Sequence, residues 1–423
     1  MKPAARLTPQ PWMIAPETRT VFDALARGGA DARFVGGCVR DAWLNRPVKD
    51  VDIATHAPPE RVVELLESAG VRAIPTGIQH GTVTAVVGRQ HFEITTLRRD
   101  VETFGRHARV EFTDDWREDA ARRDLTMNAL SCTLDGWVYD PFGGVADMAA
   151  GRVRFVGAAL ARIGEDVLRL LRFFRFFAHY GHGEPDGEAL AACRHWAPSL
   201  PTLSGERLQG ETLRLLTAAR AAAVWRLMLD TGVMAHLLPA ATDTRRLQRI
   251  IDLETALGHR PDALLRLAAV LRTDRAGALA VAHTLRVSNA DRDRLAGAVA
   301  PDAAVGLLAD AASLRRTLYR SRNPERFRDA LMLVSAGGGP VSAPHLAAAL
   351  ALADDPPVFP LSGRDLMAVG VKPGPAIGHY LRALESWWTG QDFIPGRAAC
   401  LEVLRTRLGM REGRFPGKAE ERR

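Results

Sequence analysis

The sequence predicts an α+β protein, with a small mixed sheet and flanking helices first and helices alone afterwards. Three observations predict it. Two β-branched runs, Gly81 to Val87 and His91 to Leu97, are joined by Gly88-Arg89-Gln90, a hairpin pattern. Upstream of them, helix and strand signals alternate. After Gly164, helical periods rich in Ala, Leu and Arg dominate to the end.

Taken in order, Thr18 to Arg27 reads as a helix and Ala32 to Val35 as a short strand. Gly36-Gly37 ends that strand and opens a second helix, and Val51 to Thr55 is the next strand. Pro58-Pro59-Glu60 starts the amphipathic helix ERVVELLESAG, which Gly70 closes. Arg98 to Arg117 is polar and charged without sustained periodicity, so a long irregular connection is expected there, functional or mobile. ARRDLTMNAL, Ala121 to Leu130, is expected on the helix that follows. IGEDVLRLLRFFRFFAHY then reads as one helix with Asp166 and Arg169 three apart on its face.

At roughly 150 residues per domain, 423 residues suggest about three domains. Apolar residues at 47% and charged residues at 25% exclude wholesale disorder. Lys plus Arg number 56 against 49 for Asp plus Glu, and the resulting +7 favours polyanionic partners. The four cysteines, Cys38, Cys132, Cys193 and Cys400, form no CxxC pair, which excludes a zinc site of cysteines alone. MKPAARLTPQPWMIAPETRT lacks the apolar core of a signal peptide. The charge-free stretch Ala330 to Ala353 is broken by glycines and prolines. A soluble, cytoplasmic protein with no membrane contact is expected.

The chemistry concentrates in FVGGCVRDAWLNRPVKDVDIAT, Phe34 to Thr55. A Gly36-Gly37 turn opening a helix offers bare N–H groups to a phosphate, and Arg40, one turn in, can add a fork of donors. Asp50 and Asp52, two apart on a strand, project from one face. Such a pair facing a phosphate turn suits Mg²⁺ ions that also coordinate a nucleoside triphosphate. Either element alone is commonly a plain turn or a solvated strand end; their conjunction in one unit favours the site. Glu93 is a candidate third carboxylate, as general base or ligand, and equally fits a solvent-facing strand glutamate.

GGCVRD followed by KDVD resembles the signature of polymerase-β superfamily nucleotidyltransferases. The whole motif set resembles the class II tRNA nucleotidyltransferases, or CCA-adding enzymes, and the related bacterial poly(A) polymerases. The resemblance implies a polymerase-β-like head over 1–155, a helical neck with a nucleotide-selecting helix over 156–240, and a helical, RNA-binding body and tail over 241–423. It implies that Gly37 and Arg40 contact the nucleotide and that Asp50 and Asp52 are the metal ligands. Arg123 of RRD would reach the nucleotide, Asp124 could accept from a ribose 2′-hydroxyl, and Asn128 would brace the site.

Asp166 and Arg169 together offer an acceptor and a donor, which match the pairing edges of cytosine and adenine. Uracil and guanine present the reverse pattern and would leave buried groups unpaired. The resemblance makes this pair the protein template that selects CTP and then ATP, with Arg172 and Arg175 nearby. LSGERLQGE resembles the family's SxERxxxE element, with Ser204 and Glu206 at a helix start and Arg207 supporting the neck or the RNA. Arg272-Thr273-Asp274 stands where some relatives carry an adjacent His-Asp pair, so a second phosphatase activity is not expected. His259 and Asp262 then read as helix-start residues.

The implied activity is addition of CCA to a tRNA 3′ end from CTP and ATP. A poly(A) polymerase is the alternative, but HAPPERVVELL and PTGIQHGTVT after DxD lack the arginine-rich stretch of those enzymes. Arg98 to Arg117, shortened in CC-only relatives, is present here. A silent RNA-binding protein is opposed by the intact DxD and RRD.

Overall fold

Side chains two apart fall on one side of a strand, and in the first part of this chain that period separates an apolar face from a polar one. The structure, a computed structural model, describes residues 1–104, 107–300, 310–338 and 342–409. The chain begins with β1 (Ala5–Arg6), α1 (Pro11–Ile14), α2 (Pro16–Arg27), β2 (Ala32–Val35), α3 (Gly37–Trp43), β3 (Val51–Thr55) and α4 (Pro59–Ser68). Next come β4 (Arg72–Gly77), β5 (Thr82–Val87), β6 (Gln90–Thr96), β7 (Arg98–Phe104), β8 (His107–Phe112), α5 (Trp116–Ala121), β9 (Ser131–Cys132), β10 (Trp137–Tyr139) and α6 (Gly144–Ala149).

Among the described residues, eight strands form one sheet in the order β1-β10-β9-β2-β3-β6-β5-β4. All neighbours are antiparallel except β3 and β6, which run parallel. One face presents Phe34, Ile53, Phe92, Ile94, Val83 and Ala85, all buried. The ring of Phe34 meets Trp12 edge-on at 4.8 Å and Phe22 at 4.6 Å, so the first two helices close this face. Pro16 and Pro59 stand at the first positions of α2 and α4, where a missing N–H costs nothing. The other face carries Val35, Asp52, Ala54 and Glu93, and Leu97 and Trp116 pack on its apolar part.

The helical remainder begins with α7 (Ala159–Glu165), α8 (Leu168–Tyr180), α9 (Gly187–Trp196), α10 (Gly205–Leu216), α11 (Ala221–Asp230) and α12 (Val233–Leu237). Helices α13 (Thr244–Ala256), α14 (Ala263–Val270) and α15 (Arg275–Thr284) follow. Phe173, Phe174 and Phe177 line the buried side of α8, and α10, α11 and α7 pack around it. Asp262 caps α14 by accepting the N–H groups of Leu264 and Leu265, each at 3.0 Å.

The chain divides into two compact units. Met1–Gln248, Pro261–Arg272 and Ala280–Ser288 make one; Arg249–Arg260, Thr273–Leu279 and Asn289–Arg423 make the other. The second contains α16 (Asn289–Val299), α17 (Ala311–Ser321), α18 (Pro324–Gly337), α19 (Ala343–Ala351), α20 (Gly363–Ala368), α21 (Pro375–Gly390) and α22 (Arg397–Arg407). Trp388 anchors a core there with Leu366, Leu384, Cys400 and Leu404, ringed by Tyr319, Phe359 and Phe393. Among the described residues no helix is long and apolar enough to cross a membrane.

Three local expectations are corrected. Arg98 to Arg117 is not an irregular connection: β7 and β8 pair antiparallel, closed at the root by the Thr113 N–H on the Leu97 carbonyl at 3.0 Å, with residues 105–106 outside the described residues. Two strands that satisfy each other's backbone need no apolar period in their side chains, so the pattern was missing. The RRD segment is not on an α-helix; apart from Ala121 at the end of α5, its helical residues are a single 3-10 turn at Thr126–Asn128. Arg122 to Asp124 lie beyond the end of α5, and Leu125 bridges to Phe155, with the Thr126 N–H donating to the Arg154 carbonyl at 3.0 Å and the Val156 N–H to the Asp124 carbonyl at 2.9 Å. The segment expected as one helix is broken between α7 and α8 at Asp166, whose backbone is extended. Its carboxylate accepts the N–H of Leu168 at 3.1 Å, a local bond that competes with helix continuation.

Phe34→Ala removes the ring on which both early helices rest. It should cost about 4 kcal/mol, seen in urea unfolding followed by far-ultraviolet circular dichroism.

Candidate active site

Gly36 has φ +70°, a conformation that favours glycine, and its N–H donates to the Leu130 carbonyl at 3.1 Å. A Cβ at this residue would lie 2.9 Å from Arg123 Nη1, so the missing side chain also lets this arginine come against the turn. Cys38, just inside α3, points its Sγ at the carbonyls of Val35 (3.3 Å) and Asp52 (3.6 Å). Burial pushes its thiol up to about 12, so it stays a neutral brace between turn and β3.

Asp52 stands directly beside Glu93 in the parallel β3–β6 register, on the sheet face opposite Phe34. Asp50 is exposed and lies one residue before β3, not within a strand as expected, yet its charge still reaches Asp52. Burial, then the charges of Glu93 and Asp50, raise the Asp52 carboxyl above its ordinary range, while Arg123 pulls it down.

Arg40 is buried rather than open to solvent. Its Nε and Nη2 donate to Asp41 at 3.0 and 2.8 Å, its Nη1 donates to Asn128 Oδ1 at 2.6 Å, and it packs against Phe176 and Tyr180. Asn128 Nδ2 donates to Asp124 Oδ1 at 3.0 Å, and Arg172 Nε donates to Asp124 Oδ2 at 2.6 Å. Burial alone would raise the Asp124 carboxyl; Arg172, Asn128 and the Leu125 N–H outweigh it and hold it at about 2. The chain of bonds continues to α10, where buried Glu211 takes Arg175 Nε at 2.5 Å and lies 3.8 Å from Arg172 Nη1. Arg123 donates to Asp119 Oδ2 at 3.2 Å and to the Asn128 carbonyl at 3.5 Å.

Asp166 and Arg169 do not share a helix face or pair with each other's side chains. Asp166 Oδ2 accepts from Arg207 at 2.7 Å. Arg169 pairs with Glu165 at 2.5 Å and donates to the carbonyls of Arg162 (3.2 Å) and Arg122 (3.3 Å). Arg172 and Arg175, expected near the nucleotide, engage Asp124 and Glu211. Sequence reading overlooked Glu211, although it is the last residue of the SxERxxxE element. It also overlooked Asp41, which accepts from Tyr180 at 3.0 Å across a separation no local pattern reveals.

Residues 32–154 match the family model described as poly A polymerase head domain, and residues 184–244 match the probable RNA and SrmB-binding site of polymerase A. The mitochondrial CCA tRNA nucleotidyltransferase 1 of Danio rerio is 35% identical over 395 residues, 88% of this chain and 87% of that one. The chain belongs to the class II CCA-adding enzyme and poly(A) polymerase family. The CCA-adding enzyme of Limosilactobacillus fermentum is 32% identical over 370 residues, covering 86% of this chain and 90% of its own. The crystal structure of the Bacillus stearothermophilus CCA-adding enzyme in complex with CTP superposes with a TM-score of 0.72 at 27% identity, covering 93% of this chain and 98% of that one.

Nucleotidyltransferases of this superfamily generally use divalent metal ions. The residues present fit one. Asp52 and Glu93 are adjacent hard oxygen donors, and the charge that burial and its neighbours disfavour on Asp52 is one a cation would relieve. Among the described residues no three His, Cys, Asp or Glu side chains gather to hold an ion by themselves.

Asp124→Ala leaves Arg172 without its short, buried partner and should cost about 3 kcal/mol at neutral pH, measured by urea unfolding. A depressed carboxyl contributes fully above the ordinary aspartate value near 4 and loses its contribution as the pH falls toward about 2. Wild-type and variant stabilities should therefore converge over that interval.

Proposed function

We propose that this protein adds CCA to the 3′ end of tRNA from CTP and ATP, with release of pyrophosphate and no nucleic-acid template. The observation that carries the reading is the pairing of Asp52 with Glu93 on the sheet face beside the Gly36-Gly37 turn and Arg123. The relatives' names, CCA tRNA nucleotidyltransferase and CCA-adding enzyme, supply the product, and the CTP-bound relative supports the class of substrate. A cytoplasmic setting is part of the reading.

Asp50 and Asp52 would hold Mg²⁺, with Glu93 beside them as ligand or base. When bound, the metal would neutralise charge on the α-phosphate and pyrophosphate and ease loss of the 3′-hydroxyl proton. Arg123 and the Gly37 N–H would take the triphosphate. Arg40, already bonded to Asp41 and Asn128, would act by aligning the turn and Asn128 as well as by its charge. Asp166 would accept from the amino group of cytosine or adenine and Arg169 would donate to the adjacent ring nitrogen. The Asp166 carboxylate has lone pairs to do so while still bonded to Arg207. Arg172 would hold α8 to the RRD turn through Asp124, and Arg175 would hold it to α10 through Glu211. The helical half, within a chain of net charge +7, would carry the tRNA.

Incubation of the protein with tRNA lacking CCA and labelled CTP, ATP or UTP tests the reading. Two C and one A should be added and synthesis should stop; chelation should abolish transfer and Mg²⁺ should restore it. Long oligo(A) would identify a poly(A) polymerase instead. Asp52→Ala should abolish transfer of every nucleotide. Asp166→Ala or Arg169→Ala should raise UTP misincorporation on the order of 100-fold, and strict selection retained in both would overturn the template assignment.

A further inference from the structure

Asp119 lies in α5 with a side chain only 4% exposed, and it belongs to none of the motifs above. Three donors converge on its carboxylate. Oδ1 accepts from Arg122 Nε at 2.8 Å and from the backbone N–H of Arg98 at 3.3 Å; Oδ2 accepts from Arg123 Nη2 at 3.2 Å. Arg98 is the first residue of β7 and follows the strand that bears Glu93. One carboxylate thus joins the root of the hairpin, the RRD turn and the arginine against Gly36.

The neighbouring Glu118 makes the same junction from the other side. It accepts from Thr113 Oγ1 at 2.6 Å, just past β8, and lies 3.7 Å from Arg99 Nη1. Both strands of the hairpin are therefore stapled to the six-residue helix whose end leads into Arg122 and Arg123.

We propose that Asp119 is a positioning residue for the nucleotide, acting through Arg123. The guanidinium of Arg123 is bonded to Asp119 and against the Gly36 turn, and its charge also acts on Asp52. With Asp119 neutralised, Asp52 becomes the stronger attraction, and the arginine is drawn from the glycine turn toward the carboxylate that binds the cation. Asp119 both aims Arg123 and keeps it off Asp52. The inference rests on the proposed contact between Arg123 and the triphosphate.

Equilibrium binding of CTP to the full chain without tRNA, by titration calorimetry, tests it. Asp119→Asn should weaken CTP binding about tenfold, and Asp119→Glu should recover to within about threefold of wild type. Arg123→Ala should also weaken binding, and adding Asp119→Asn to it should cause no further loss, because the aspartate acts through an arginine no longer present. In transfer assays the Asn variant should raise KM for CTP and ATP more than it lowers kcat. Unchanged affinity in Asp119→Asn, or losses that multiply in the double variant, would overturn the inference while leaving Arg123 at the nucleotide. Unchanged affinity in Arg123→Ala would overturn both. Should Asp119→Asn not fold, Asp119→Glu with and without Arg123→Ala gives the comparison: any loss in Asp119→Glu must vanish in the Arg123→Ala background, and one that persists overturns the inference.

Discussion

A guanidinium taken out of water needs acceptors in the right places, and this protein buries several of them in series. Arg40 is tied to Asp41 and Asn128, Asn128 to Asp124, Asp124 to Arg172, and Arg172 and Arg175 to Glu211. The chain of bonds starts at the glycine turn on the sheet and ends on α10, crossing α8 on the way. Removing Asp124 takes from Arg172 its short bond and from Asn128 its acceptor at once, so the members of the chain are energetically coupled. The distance between the carboxylate face of the sheet and the helix proposed to select the base is set by these bonds rather than by apolar packing alone.

The one parallel pair in the sheet has a specific consequence. Because β3 and β6 run in the same direction, Asp52 and Glu93 come side by side, although forty residues separate them. Two carboxylates so placed repel, and burial adds to the cost, which raises the Asp52 carboxyl. That unfavourable arrangement persists because Phe34, Ile53, Phe92 and Ile94 hold the same strands from behind. The apolar face supplies the stability that the polar face gives up for chemistry.

The hairpin β7–β8 fits this plan. It stands outside the main sheet and is fastened at its root by backbone bonds and by Glu118 and Asp119. Local bonding of this kind fixes an element at one end only, so its attachment, not its own packing, ties it to the RRD turn.

Strands, helices and the glycine turn were legible in the sequence because each depends on neighbours a few residues away: β2, β3, the β5–β6 hairpin, α2 and α4 follow from period, proline and glycine alone. The family could be read too, since GGCVRD, DVD and RRD are short contiguous motifs. The break at Asp166 was hidden because its cause is a side chain taking a backbone N–H, which periodicity does not register. Nor could local patterns say that Asp166 bonds Arg207, that Arg172 bonds Asp124, or that Glu211 and Asp119 are hubs. Local pattern in the chain was enough for the residue types and for the elements with a clear apolar period or a proline or glycine stop. Which charges meet depends on the folded arrangement, because a buried charge takes whatever partner the chain brings within reach, however far away it lies in sequence.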